Sequence, residues 1–233
     1  MLLNCVLIPM IGAFVLPAAG RLSGRLRNGL ALALVLASLA ISVSMLGPAL
    51  SGKTLVFARP FVMGINFVLV ADGLAVFMAC VSSLISAVII LYSFGYISHY
   101  ENQGEYYLMV VLFFGAMMGL VFSGNLILMY MFWEITAITS WRLIGFFREK
   151  LHVARADKAF LVTVFGAVTM LLGFVSVYQQ TGTFDLRPGA ISSLAVALIL
   201  VGILSKSATL PFHTWLPDAG VAPSPVTALL HAA

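Results

Sequence analysis

The sequence predicts an all-α, polytopic transmembrane helix bundle of about seven to eight helices, and three observations carry that prediction. Hydrophobic residues make up 62% of the chain and charged residues only 9%, whereas a soluble domain carries about a quarter charged residues. Apolar stretches recur along the chain at close to the ~20 residues a helix needs to cross a bilayer core. The basic residues between those stretches fall into two unequal sets. An ordinary soluble enzyme is excluded by this composition alone.

The elements follow in order. Residues 2–19 have the apolar run of a secretory signal but lack its basic start, and many further apolar segments follow, so they read as a retained first helix. A second segment spans 29–47. The loop after it, "GPALSGKTLVFARPFVMGIN", contains the alternating "TLVFARPFVM", which suits a short hairpin, although Pro60 opposes strand pairing. Asp72 precedes "GLAVFMAC" and is placed to cap a third helix over 72–97. Further segments cover 107–122, 126–147, 158–178 and 190–210. An eighth opens at "SPVTALLHAA", with Ser224 as a hydroxyl cap and Pro225 at the first helical position. No low-complexity linker interrupts this single transmembrane domain over 1–233.

Alternating the spans puts Arg21, Arg25, Arg27, Arg148, Lys150, Arg155 and Lys158 on one side, against Lys53, Arg59 and Arg187 on the other. The positive-inside rule makes the first side cytoplasmic and the N-terminus external. Cys5 and Cys80 both lie in apolar segments and read as inert packing. No dense basic run suggests nucleic-acid binding. Metal-ligand Cys/His spacing, a glycine-rich phosphate loop and a Ser-His-Asp order are all missing from the sequence.

Charges inside the spans demand an explanation. A central charged side chain costs ~2.5–3.5 kcal/mol on insertion scales, so such groups face the bundle interior and pair. Glu134 lies about 12 Å into the segment "LILMYMFWEITAITSWRLIGFF". Its bland role is a structural hydrogen bond to Tyr130, Thr136 or a neighbouring helix. Lys206 lies in "LVGILSKSATLPFHTW". An amine snorkelling to the interface is the simple reading there, but Ser205 and Ser207 flank it and Pro211 disrupts the turn. The chain then continues apolar instead of turning basic, which favours a buried, functional lysine at a broken helix. Counting along straight helices sets the two groups at different depths, so contact requires a tilt or that break. Burial and an opposite charge push a lysine in contrary directions, so an approaching and withdrawing glutamate makes the amine gain and lose a proton.

Arg142 competes for Glu134 or anchors the cytoplasmic end of its helix. His231 sits about two turns into the eighth helix, where a satisfied hydrogen-bonding group and a proton relay are both open readings. His213 and Asp218 belong to "PFHTWLPDAG" and read first as turn or cap residues. Tyr130, Trp133 and Trp141 read as packing. Arg142, Ser205, Ser207, His213 and Asp218 are retained as accessory candidates.

"MFWEITAITSWRLIGFF", "KAFLVTVFGAVTMLLG" and "SKSATLPFHTWLPDAGVAPSPVTALLHAA" resemble the antiporter-like membrane subunits shared by respiratory complex I, Mrp-type cation/proton antiporters and energy-converting membrane hydrogenases. "ADGLAVFMACVSSLISAVIILYSFGYI" is similar to the third helix of that family, so the resemblance covers nearly the whole chain. It implies a proton-translocating subunit in a bacterial or archaeal cell membrane, with residues 107–233 as the first inverted repeat and a broken seventh helix. It also implies that Glu134, Lys206 and His231 form the proton path. Expected partners are other membrane subunits, the lipid bilayer, protons and, in the Mrp branch, sodium. No cofactor, metal or catalytic residue is expected in this non-catalytic subunit.

Two departures bear on that expectation. The family continues through a second repeat, so a chain stopping after His231 reads as a fragment. Some members carry charges early in the sixth helix, where "VTVFGAV" has none and Asp157 and Lys158 stand at its entrance. A redox-driven subunit is the leading expectation; an Mrp sodium/proton antiporter subunit and an inactive structural product are the alternatives.

Overall fold

A computed structural model of the chain describes residues 1–60, 66–186 and 190–232. Arg187, assigned above to the external basic set, lies outside the described residues. The helices are α1 (Leu2–Leu22), α2 (Gly24–Ser44), α3 (Leu46–Leu50), α4 (Gly73–Tyr96), α5 (Gln103–Phe122), α6 (Leu126–Ile144), α7 (Lys150–Thr181), α8 (Ser193–Lys206), α9 (Trp215–Asp218) and α10 (Ser224–Ala232). Strands β1 (Leu55–Pro60) and β2 (Asn66–Ala71) lie between α3 and α4.

Among the described residues, five helices are long and apolar enough to cross a membrane: Leu2–Leu22, Gly24–Leu50, Gly73–His99, Gln103–Phe122 and Lys150–Thr181. The sequence predicts seven full segments. α6 has 19 residues but is diluted by Glu134, Arg142 and its tyrosine and tryptophans. α8 has 14 residues, or about 21 Å of helix, short of a full crossing. α2 and α7 begin earlier than predicted, because hydropathy marks the apolar part of a helix and not its polar first turns.

A seventh helix broken at Lys206 is not confirmed. α8 ends at Lys206, and only turns, the four-residue α9 and a 3₁₀ turn over Ala219–Val221 follow before α10. Ala208 adopts a positive φ of 50°, and the Thr209 amide closes back on the Leu204 carbonyl at 2.9 Å. That closure ends the helix before Pro211, which has no amide to offer.

Caps fix where several helices start. Asp72 accepts a 2.8 Å bond from the Ala75 amide, as its position predicts. Asn125 accepts from the Ile127 and Leu128 amides to start α6, and Ser192 accepts from Ala195 to start α8. Ser224 does not serve as the predicted cap. It is the first residue of α10, and the Pro223 carbonyl takes the Val226 and Thr227 amides instead.

A hairpin forms but reaches further than predicted: β1 lies within "TLVFARPFVM", while its partner β2 follows that stretch, pairing antiparallel from Leu55↔Ala71 to Pro60↔Asn66. Pro60 is tolerated at the strand end, where a missing donor costs least. Gly124, between α5 and α6, donates to the Val68 carbonyl at 2.9 Å. A Cβ there would stand 2.7 Å from Val70 and 2.8 Å from Val68, so the hairpin can close on this turn only over glycine.

The larger core joins α1, α2, α4 and α5 through Cys5, Val35, Ile90, Tyr106 and Phe114, all buried. Cys5 is a packing residue as predicted, with its Sγ 3.4 Å from the Ser42 hydroxyl. α5 then meets α6, α6 meets α7, and α7 lies along α8. Met170 and Phe174 on α7 pack with Leu126 and Ala195, and Trp215 packs with Ile144, Ala156 and Ala159 at the other end.

Candidate functional site

The α7–α8 seam sets the position of Lys206. Gly166, Gly173, Gly202 and Ser205 lie on it, and small residues let two helices approach closely where lipid provides no hydrophobic drive. A Cβ on Gly173 would stand 2.8 Å from Ile199. Ser205 is fully buried, its hydroxyl turned onto the Gly202 carbonyl at 2.9 Å. Its own carbonyl accepts the Trp215 indole N–H at 2.9 Å. The last turn of α8 is therefore held from α7 and from the segment beyond the helix, and Lys206 projects from that turn.

A cavity of about 380 Å³ opens beside it. Lys206 and Ser207 from α8, Thr136 and Ser140 from α6, Thr163 from α7 and His231 from α10 supply its polar wall. Phe113, Met117 and Leu120 of α5 close one side, and Trp215 and Leu216 another. The hydroxyls of Thr136, Ser140 and Thr163 donate to carbonyls on their own helices. Their oxygen lone pairs stay available to accept from water or an ammonium.

Lys206 and His231, far apart in sequence, thus share one cavity. Glu134 stands beside it, within electrostatic reach of both Lys206 and Tyr130. None of the ion pairs among the described residues joins Glu134 to Lys206. The Lys206 Nζ and Glu134 Oε1 are both buried without a hydrogen-bond partner, as are the Trp133 Nε1 and the Thr227 hydroxyl. The amine instead lies over the Trp133 ring, 5.8 Å from its centroid.

The accessory candidates separate. Ser207 lines the cavity and shares a 2.9 Å bond with Thr209. Ser205 is structural. His213 is exposed in the turn that precedes α9. Asp218 pairs with Lys158 at 2.6 Å, and that ammonium holds its carboxyl below the usual carboxylate range. Lys158 also reaches the Thr214 carbonyl, and Asp157 accepts the Trp141 indole N–H at 2.8 Å. Asp157 and Lys158, expected at the entrance of this helix but lying two turns inside α7, thus tie it to α6 and to the segment after α8.

Arg142 does not compete for Glu134. It forks onto Glu105 at the start of α5, and the other Glu105 oxygen accepts from Arg148. Sequence reading missed Glu105; the available signal was the two acids of "ENQGEYY", Glu101 and Glu105, set against the two arginines of "WRLIGFFREK". It also missed Thr163, which hydropathy cannot tell from any other helical threonine. Among the described residues, no group of three or more His, Cys, Asp or Glu side chains converges to hold a metal.

Comparison with known proteins gives a consistent picture. Residues 123–233 match the family described as NADH:quinone oxidoreductase/Mrp antiporter, and residues 61–107 match the N-terminus of complex I chain 5. Na(+)/H(+) antiporter subunit A1 of Staphylococcus haemolyticus is 35% identical across 98% of this chain, and that of Staphylococcus aureus is 34% identical. The chain spans 30% of the length of these relatives. In the Mrp complex from Dietzia sp., a subunit 27% identical superposes over 100% of this chain and 26% of its own, with a TM-score of 0.88. A subunit of the archaeal membrane-bound sulfane sulfur reductase, 22% identical, shares the fold with a TM-score of 0.87 over 97% of this chain and 49% of its own. This multi-pass chain belongs to the antiporter-like membrane subunit family common to complex I and the Mrp antiporters.

Proposed function

We propose that this chain is the proton-handling part of an Mrp-type sodium/proton antiporter subunit, with Glu134, Lys206 and His231 as its titrating path. The observation that carries the reading is the placement of Lys206, whose buried amine is within electrostatic reach of Glu134 and whose side chain lines a cavity shared with His231. An ammonium there has two fates. With the carboxylate near, its charge is stabilised; with the carboxylate turned away, it yields its proton toward the hydroxyl-lined cavity and the imidazole. Residues 107–233 form the first inverted repeat in this reading, and the N-terminus faces outside. Other membrane subunits complete the assembly, as in the complexes whose subunits share the fold.

The names of the relatives that align with nearly all of this chain favour sodium exchange over the redox-driven role expected first from sequence. A redox-driven subunit is the second reading, favoured by the family match that includes NADH:quinone oxidoreductase. Reconstituting the full-length protein in its assembled complex into vesicles separates them. Sodium-dependent proton movement without an electron donor supports the antiporter. Proton movement only when a donor is oxidised replaces it with the redox reading.

A further inference from the structure

We propose that the indole face of Trp133 is a second seat for the Lys206 amine, occupied after the lysine leaves Glu134 and before it yields its proton. The proposal rests on the titrating role given to Lys206 above, and it assigns a positioning role to a residue that sequence reads as packing.

The geometry supports it from three directions. The amine is buried and has no hydrogen-bond acceptor, yet it lies over the Trp133 ring at 5.8 Å, inside the range of a cation–π contact. Trp133 precedes Glu134 on α6, so both seats ride on one helix and move together relative to α8. Trp133 also lines the cavity that Lys206 and His231 share. A desolvated ammonium leaving its carboxylate would otherwise meet apolar walls, hydroxyls and the His231 imidazole. The ring face holds the charge without taking the proton, which a second carboxylate could not do. The groups facing the amine are Glu134 from α6, with Tyr130 behind it, and His231 from α10. α7 contributes the uncharged Thr163, while its Asp157 and Lys158 are engaged by Trp141 and Asp218.

Two measurements on the full-length protein in its assembled complex test the seat. In transport assays, Trp133→Leu removes the face and is expected to move the alkaline limb of the pH profile down by about one unit, a tenfold change in protonation. Trp133→Phe keeps a face and is expected to stay within a few tenths of a unit. An unmoved limb in Trp133→Leu, or equal shifts in both variants, overturns the proposal. Should Trp133→Leu fail to assemble, 5-fluorotryptophan placed at position 133 reports on the seat independently of transport. Its ¹⁹F resonance is expected to titrate in the parent and not in Lys206→Met. A resonance indifferent to Lys206 overturns the seat. A Lys206-dependent resonance, found while Glu134→Gln transports normally, retains the seat and discards the transport reading.

Discussion

Gly166 on α7 and Ser205 on α8 lie so close that a Cβ on the glycine would overlap the serine side chain. Ser205 directly precedes Lys206, so the tightest point of the seam sets where the amine stands. Gly166→Val is expected to force the helices apart at a cost of about 1–3 kcal/mol and to lower ion transport with it. Gly95, whose Cβ would meet nothing within 4 Å, is the contrast: Gly95→Ala should leave stability unchanged or raise it by up to ~1 kcal/mol. Thermal unfolding of the assembled complex with each variant distinguishes a seam from a merely small position.

Arg142 serves Glu105, not Glu134, and this separates stability from transport. Glu105→Gln removes the negative charge shared by Arg142 and Arg148, both partly exposed, and turns one of its two acceptor oxygens into a donor amide. The loss is expected to be about 1 kcal/mol in unfolding, shrinking at high salt, with the pH profile of transport unchanged. Arg142→Gln should behave alike. A transport defect as deep as that of Glu134→Gln would return Arg142 to the proton path.

The Lys158–Asp218 pair gives a pH dependence of known sign. Lys158 holds the Asp218 carboxyl below its ordinary range, so the contact stabilises the fold above the unfolded carboxylate value of ~3.9 and fades as pH falls through the lower, folded one. Hydrogen-exchange protection over 214–221, taken relative to the intrinsic rate at each pH, should therefore fall below about pH 4 in the parent. In Asp218→Asn it should already be low at neutral pH. Protection unchanged by acidification would place the restraint on this segment elsewhere, in the Trp215–Ser205 bond.

The order of helices and the cap at Asp72 were legible because apolar runs and short polar side chains act locally. Glu134 and Lys206 stood out because charges within apolar segments are costly wherever the neighbours lie. What stayed hidden depends on partners distant in sequence. Nothing in "VTVFGAV" distinguishes Gly166 from a casual membrane glycine, and only the approach of α8 gives it meaning. Glu105 was missed as the Arg142 partner because 37 residues separate them and no local pattern joins them. Trp133 looked like packing until Lys206 was found over its ring. The early starts of α2 and α7 were missed because the polar first turns of a helix need no lipid. The Ser224 cap was misplaced by one residue because Pro223 offers its carbonyl instead.

The most direct measurement is ion transport by the assembled complex carrying Glu134→Gln or Lys206→Ala in the full-length protein, scored beside complex assembly. Each change is expected to abolish proton movement while the complex forms at parental yield. Normal transport in both, or loss of assembly without a separable transport defect, would contradict an acid and an amine acting together inside the bundle.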